Sequence, residues 1–390
     1  MASDSSECVF RIHAIILTKD RPSTLARCVN DAIRWVSAED WITILDDSGD
    51  EAAKKVGSSA ATAASDRLAN VSYVRASCLH ELLAHANNES PLCWQLKTAP
   101  RDIAPLRNLE LLLSIALPAQ TTILIDDDIH SFDLQSSYDC MEHYARATSG
   151  TILGAGIGGI TELDTLTRLS DAMSELEDTS GLCVESLFRA RPRIELKSNQ
   201  VASAGYLAFR LPHENLFAFP PGYNEDWLWC LLHGEAGTAK IEHAHQTVIH
   251  RPPEIRRSTS DDIQFELYGD LVLDCMSRMP GSSPMEILRS LRDVEIEESL
   301  LPRARVEALM LQQQRLESLR PNPGMLELLE QHGLSILRDL LRSGELDADG
   351  HGLLRRWCGD AIRKHESFAE TMQDPATNAL MKQAVEEGKL

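Results

Sequence analysis

The chain is poor in paired cysteines, in basic charge and in long apolar runs, and each shortage excludes something. Its nine cysteines (8, 28, 78, 93, 140, 183, 230, 275 and 358) are scattered, odd in number and never in a Cys-x-x-Cys pair. A disulfide framework or a structural zinc site is therefore unsupported, and free thiols in a reducing cytoplasm are expected. Bases number 38 against 59 acids, for a formal net charge of −21. That balance argues against a broad nucleic-acid-binding surface. No apolar run approaches the ~20 residues that span a bilayer. Met1 to Glu7 is polar and acidic, without the basic stretch and apolar core of a signal peptide. The chain does have 390 residues, 43% of them hydrophobic. That is enough for two or three domains and a substantial core.

In order along the chain, Val9 to Leu17 predicts a strand that ends in Thr18-Lys19-Asp20-Arg21-Pro22. Ser23 can cap the helix that follows, in which Leu25, Cys28, Val29, Ala32, Ile33 and Val36 fall near helical spacing. A second strand, Trp41 to Leu45, ends in Asp46-Asp47-Ser48-Gly49. Strand, helix, strand with short loops is the βαβ signature of a parallel sheet, and ligands bind at the carboxyl ends of such strands. Glu51 to Arg67 predicts a helix and Val71 to Val74 a strand, while Ala76 to Pro100 gives no assignable pattern. Ile103 to Leu117 has helical spacing and carries Arg107-Asn108 in its first turns.

Thr121 to Ile125 reads as a buried strand, and Asp126, Asp127 and Asp128 follow it at once. Three adjacent like charges repel one another, so a cation there is favoured. Oxygen-only ligands at a strand end suit Mg²⁺ or Mn²⁺; the bland alternative is a solvated acidic turn. Thr151 to Ile160 predicts a strand that breaks into glycines. Its Gly154-x-Gly156 lacks the third glycine and following helix of a dinucleotide site, and close backbone approach explains it better. Alternating Arg189, Arg191 and Arg193 suggest one solvated strand face. Val201 to Arg210 predicts a further strand. Glu225 and Asp226 open an apolar helix, where its dipole favours anions. Ile241 to Arg251 gathers His243, His245 and His250. From Ser258 onward the pattern is helical, with expected breaks that include Pro280-Gly281, Pro302 and Asp347 to Gly352.

Taken in order, these motifs resemble the family-2 glycosyltransferases with the GT-A fold. The likeness spans roughly residues 9 to 255 and leaves the helical remainder outside. It implies a Rossmann-like α/β fold with a mostly parallel central sheet and flanking helices, followed by an all-α C-terminal region. The implied division is a nucleotide-sugar-binding catalytic domain over 1–255 and a helical domain over 256–390, for acceptor binding or oligomerisation. The implied activity is metal-dependent, inverting transfer of a sugar from a nucleotide-sugar, expected to be UDP-linked. The acceptor is unidentified: a small molecule, a peptide or protein, or a glycan. By the resemblance, Thr18 lines the base pocket, Asp47 bonds the base, and Arg107 lies near the nucleotide. Asp126 stands near ribose, Asp128 and His250 hold Mn²⁺ or Mg²⁺, and Asp226 is the catalytic base, with Glu225 and Trp227 beside the substrate. Tyr223, Trp227 and Trp229 form either an acceptor wall or helix packing. No Gln-x-x-Arg-Trp motif is present, which argues against a processive synthase. Two alternatives remain: a sugar-phosphate nucleotidyltransferase, for which no glycine-rich phosphate loop stands near residue 20, and a non-catalytic module acting through its helices, by partner binding or as a homodimer.

Overall fold

The computed structural model describes residues 11–34, 36–65, 70–87, 103–130, 150–159, 202, 205–222, 224–250, 272, 276, 283–293, 314, 335, 338–339, 342 and 350–389. The strands are β1 (Ile12–Thr18), β2 (Trp41–Asp46), β3 (Asn70–Arg75), β4 (Thr121–Asp126), β5 (Ile129–His130), β6 (Thr151–Gly159), β7 (Tyr206–Arg210) and β8 (Lys240–His250). The helices are α1 (Pro22–Ile33), α2 (Asp50–Ala64), α3 (Ala76–Asn87), α4 (Ala104–Ala116), α5 (Glu225–Glu235), α6 (Pro284–Asp293), α7 (Gly350–Gln373) and α8 (Pro375–Glu387).

One sheet runs in the order β3-β2-β1-β4-β7-β6-β8-β5. Its first four strands are parallel, and β7 is antiparallel to both β4 and β6. The strand β1 is buried along its whole length, as a parallel strand covered on both faces must be. Alternation sorts its side chains. Ile15 and Leu17 join Leu45 and Leu124 in one core cluster, while Ile12, Ala14 and Ile16 join Ile42, Ile44, Ile123 and Ile125 in the other. The helices α1 and α2 lie over the second face through Leu25, Cys28, Val29, Val56 and Ala60. The first face is covered by α4 (Leu109, Leu112 and Leu113).

This is the α/β architecture expected from the sequence, and the described C-terminal elements are all helical. Three local expectations shift. Arg21, not Ser23, occupies the cap position of α1, because Pro22 takes a first-turn site where its missing N–H costs nothing. The unassigned stretch after Ala76 begins with α3, and α7 starts at Gly350, inside the expected break. Strand β6 continues through its glycines to Gly159. A Cβ on Gly154 would lie 2.2 Å from that of Ala202, so close approach is what this glycine permits. The arginines at 189, 191 and 193 lie outside the described residues.

The C-terminal helices are built into the sheet's own core. Phe368 and Met372 of α7, with Met381 and Val385 of α8, share the cluster of α4 and β4. The Tyr73 amide donates to Gly388 O at 2.7 Å, and Ser72 bridges Lys389 antiparallel. The chain end therefore covers part of the edge of β3, which would otherwise present unpaired backbone groups. A third cluster joins α5, α6 and α7 through Leu228, Leu231, Ile287, Leu288, Leu291 and Cys358.

Candidate active site at the carboxyl ends of the parallel strands

Adjacent parallel strands bring their carboxyl ends to one edge. Thr18 of β1 is in register with Asp46 of β2, and Leu17 with Asp126 of β4. Short loops then carry Lys19 to Arg21, Asp47 to Gly49, and Asp127 to Asp128 past that edge. The Asp127 amide donates to Leu17 O at 3.2 Å and the Asp47 amide to Thr18 O at 3.0 Å, so backbone bonds set both acidic loops.

The three acids of the run separate into two environments. Asp126, whose side chain is 24% exposed, accepts from Arg107 Nη2 at 2.7 Å. Asp127 accepts from the Thr18 hydroxyl at 2.5 Å and from Arg21 Nη1 at 3.2 Å, and the same Arg21 nitrogen reaches Asp128 Oδ2 at 2.5 Å. Asp127 and Asp128 are both buried. Burial pushes the Asp127 carboxyl up to about 7, with Thr18 and Arg21 pulling the other way.

Arg107 is the hub of the second environment. It is only 2% exposed and donates from Nη1 to Glu110 Oε2 at 3.0 Å. Its Nε stands 3.8 Å from Glu225 Oε1, within ion-pair range but too long for a hydrogen bond. Burial works against the guanidinium charge, while Asp126, Glu110 and Glu225 hold it protonated. Burial also raises the Glu110 carboxyl to about 7 against the pull of Arg107. One arginine on α4 thus ties the end of β4 to the first turn of α5.

The first turn of α5 follows Asn224, which adopts a left-handed conformation (φ 61°). Asparagine tolerates that region better than most residues. Asp226 is half-buried, and its Oδ1 accepts from the Trp227 amide at 2.8 Å. The two tryptophans of α5 part ways. Trp227 is exposed. Trp229 is fully buried, stacked on Phe219 and donating to Phe217 O at 2.5 Å, so Trp229 belongs to helix packing. Tyr223 lies outside the described residues.

At the end of β2 the two acids divide the work. Asp46 is buried, accepting from the Ser48 amide at 2.9 Å and from the Tyr73 hydroxyl. Asp47 is partly exposed and pairs with Lys19 Nζ at 2.7 Å. Its carboxylate therefore lies on the open side of the strand ends, whereas Asp46 braces the loop.

The structure brings Thr18, Asp47, Asp126 and Asp128 to one edge, with Arg107 and Glu225 joined to it. Asp226 and Trp227 follow Glu225 on the same helix. His250 pairs through its backbone with Ile129, the residue after Asp128; its side chain lies outside the described residues, as do those of His243 and His245. Two contributors had no assigned role in the sequence. Arg21 was visible only as part of the loop motif, and Glu110 only as one helical acid among many. Its spacing of three from Arg107 was the available signal.

The residues suit a hard divalent cation by donor chemistry, since Asp128 offers a carboxylate beside two others. Among the described residues no three His, Cys, Asp or Glu side chains already converge on one point. Arg21 sits on Asp128 Oδ2, so an ion taking that oxygen must displace a guanidinium. Among the described residues no helix is long and apolar enough to cross a membrane.

No protein-family model matches the chain, and no curated protein does. Among solved structures, a mycobacterial protein is similar at 13% identity and a TM-score of 0.43, covering 70% of this chain and 77% of that one. Glucosyl-3-phosphoglycerate synthase from Mycobacterium tuberculosis, in complex with phosphoglyceric acid, is similar at 14% identity and a TM-score of 0.42, covering 70% and 82%. A mannosyltransferase from Pyrobaculum calidifontis, in complex with GDP-Man and Mn²⁺, is similar at 12% identity and a TM-score of 0.37, covering 91% and 85%. These identities and TM-scores are too low to assign a family or an activity.

Proposed function

We propose that the chain is a metal-dependent glycosyltransferase that moves a sugar from a nucleotide-sugar to an acceptor with inversion. The observation that carries this reading is the Arg107 bridge, which links the Asp126 end of β4 to the Glu225-Asp226 turn of α5. Donor recognition and proton removal need carboxylates on different elements, held at a fixed separation. A buried arginine hydrogen-bonded to one element and ion-paired with the other supplies that.

In this reading residues 1–255 form the donor-binding and catalytic unit. Asp47 and Thr18 stand at the nucleotide end, Asp126 beside the ribose, and Arg107 orients Asp126. Asp128, with His250, would hold Mn²⁺ or Mg²⁺. Bound there, such an ion would supply a positive charge against the negative charge that grows on a diphosphate leaving group. Asp226, half-buried rather than sealed, keeps access to an acceptor hydroxyl and takes its proton. Trp227, exposed beside it, offers an aromatic face to the acceptor. A single base opposite a departing diphosphate gives one displacement, and hence inversion.

Calorimetric titration of UDP, GDP and dTDP, with and without Mn²⁺, tests the reading. One nucleotide should bind in a metal-dependent way, and Asp128→Ala should abolish that binding. Asp226→Asn should keep binding and lose turnover by about 10²-fold or more. Full turnover in Asp226→Asn would remove it as the base. No binding of any nucleotide would leave the helical region as the place to look for function.

A further inference from the structure

The loop from Leu211 to Asn224, between β7 and α5, has its backbone held from two sides. From the sheet side, Asn108 of α4 brackets Phe219: the Phe219 amide donates to Asn108 Oδ1 at 2.7 Å, and Asn108 Nδ2 donates to Phe219 O at 3.3 Å. From the other side comes α7, more than a hundred residues downstream. The Ala218 amide donates to His365 Nδ1 at 3.3 Å, and the His365 ring stacks on Phe217 with centroids 3.8 Å apart and planes at 18°. Trp357 Nε1 donates to Pro221 O at 2.5 Å. Trp357 and His365 are eight residues apart on α7, so they lie near one helix face. Beyond Pro221 the chain passes Gly222, at φ +114° with Trp357 Nε1 3.4 Å from where a Cβ would stand, and Asn224, at φ 61°. Glycine takes its positive φ freely, whereas the left-handed conformation of Asn224 costs more and gains from outside support. Glu225 and Asp226 come next.

We infer that Trp357 and His365 are positioning residues, through which helix α7 sets the Glu225-Asp226 turn of α5. This rests on the reading of Asp226 as the acceptor's base. The C-terminal helices then serve the site by fixing where that base stands, without touching substrate. Two anchors eight residues apart restrain both the height and the twist of the loop, which a single contact would not. His365 can accept a hydrogen bond only while its Nδ1 carries no proton. Burial, which lowers its pKa to about 4, keeps the ring neutral, and the Ala218 amide donating to Nδ1 selects the tautomer that carries its proton on Nε2.

The test uses the full chain and three variants. Trp357→Phe keeps a ring and deletes the N–H, His365→Leu deletes the acceptor, and His365→Gln retains one. The readouts are kcat and KM for release of UDP from UDP-glucose, the UDP dissociation constant, and amide exchange at residues 225–228. Trp357→Phe and His365→Leu should lower kcat by about tenfold or more. KM and UDP affinity should stay within about twofold, since the strand ends are untouched. His365→Gln should recover most of the loss. In an Asp226→Asn background Trp357→Phe should have no further effect, because the base it positions is gone. Unchanged kcat in both variants, or the same loss on top of Asp226→Asn, would overturn the inference, as would a parallel fall in UDP affinity. If Trp357→Phe does not fold, the two His365 variants decide. If wild type does not turn over UDP-glucose, the reading of function has failed for that donor, and amide exchange still decides the clamp. Faster exchange at 225–228 in His365→Leu, with strand β4 unchanged, supports it; no change overturns it.

Discussion

Two arginines serve one run of acids in opposite ways. Arg107 is sealed, with side-chain exposure of 2%, and is shared among Asp126, Glu110 and Glu225. Arg21 lies on a loop at 25% exposure and faces Asp127 and Asp128. A buried ion pair is costly to break, because the partner left behind is still buried and charged. A pair with access to water can exchange partners at lower cost. The sealed arginine therefore reads as scaffold and the open one as the part that can move; under the proposed function, it would do so when a cation or phosphate binds.

The largest effect should come from Arg107→Ala. It strands Glu110 and Asp126 and should cost about 3–5 kcal/mol in urea unfolding, with loss of nucleotide binding. Arg21→Gln should cost less, about 1–3 kcal/mol, even though its partners are buried. Equal losses in the two variants would erase the distinction drawn between them. The most diagnostic effect concerns Glu110, and near pH 5 it is also the smallest. Its carboxyl, raised to about 7 in the fold from an ordinary 4.5, holds a proton that the unfolded chain has released. It therefore contributes stability fully below about 4.5, and loses that contribution as pH rises toward 7. Over that window it makes stability fall as pH rises. Glu110→Gln should remove the Glu110 share of that slope in unfolding experiments run from pH 5 to pH 7, leave the share of Asp127, and leave stability near pH 5 almost unchanged. An unaltered slope would show that Glu110 is ionised throughout.

The same contrast shows what could be read in advance. The strands β1 to β4, the parallel arrangement of the first two and the placement of Thr18, Asp47 and Asp126 to Asp128 at strand carboxyl ends follow from local patterns. Short continuous apolar runs, short loops and polar residues at strand ends are visible without a fold. Asp226 was visible for the same reason, as an acid opening an apolar helix. The roles within the acid run were not. Which of Asp126, Asp127 and Asp128 turns to Arg107, to Thr18 or to Arg21 depends on partners 19 to 109 residues away. No local spacing encodes that.

By itself the chain determined a parallel α/β sheet with an acidic strand edge and an all-helical end, because periodicity and charge act over a few residues. Only the tertiary structure decided that Arg107 joins two of those acids across elements, that Trp229 is core while Trp227 is exposed, and that α7 grips the loop before Asp226. Those outcomes are settled by burial and by hydrogen bonds between segments far apart in sequence. The energy of such contacts exists only once the chain has brought them together.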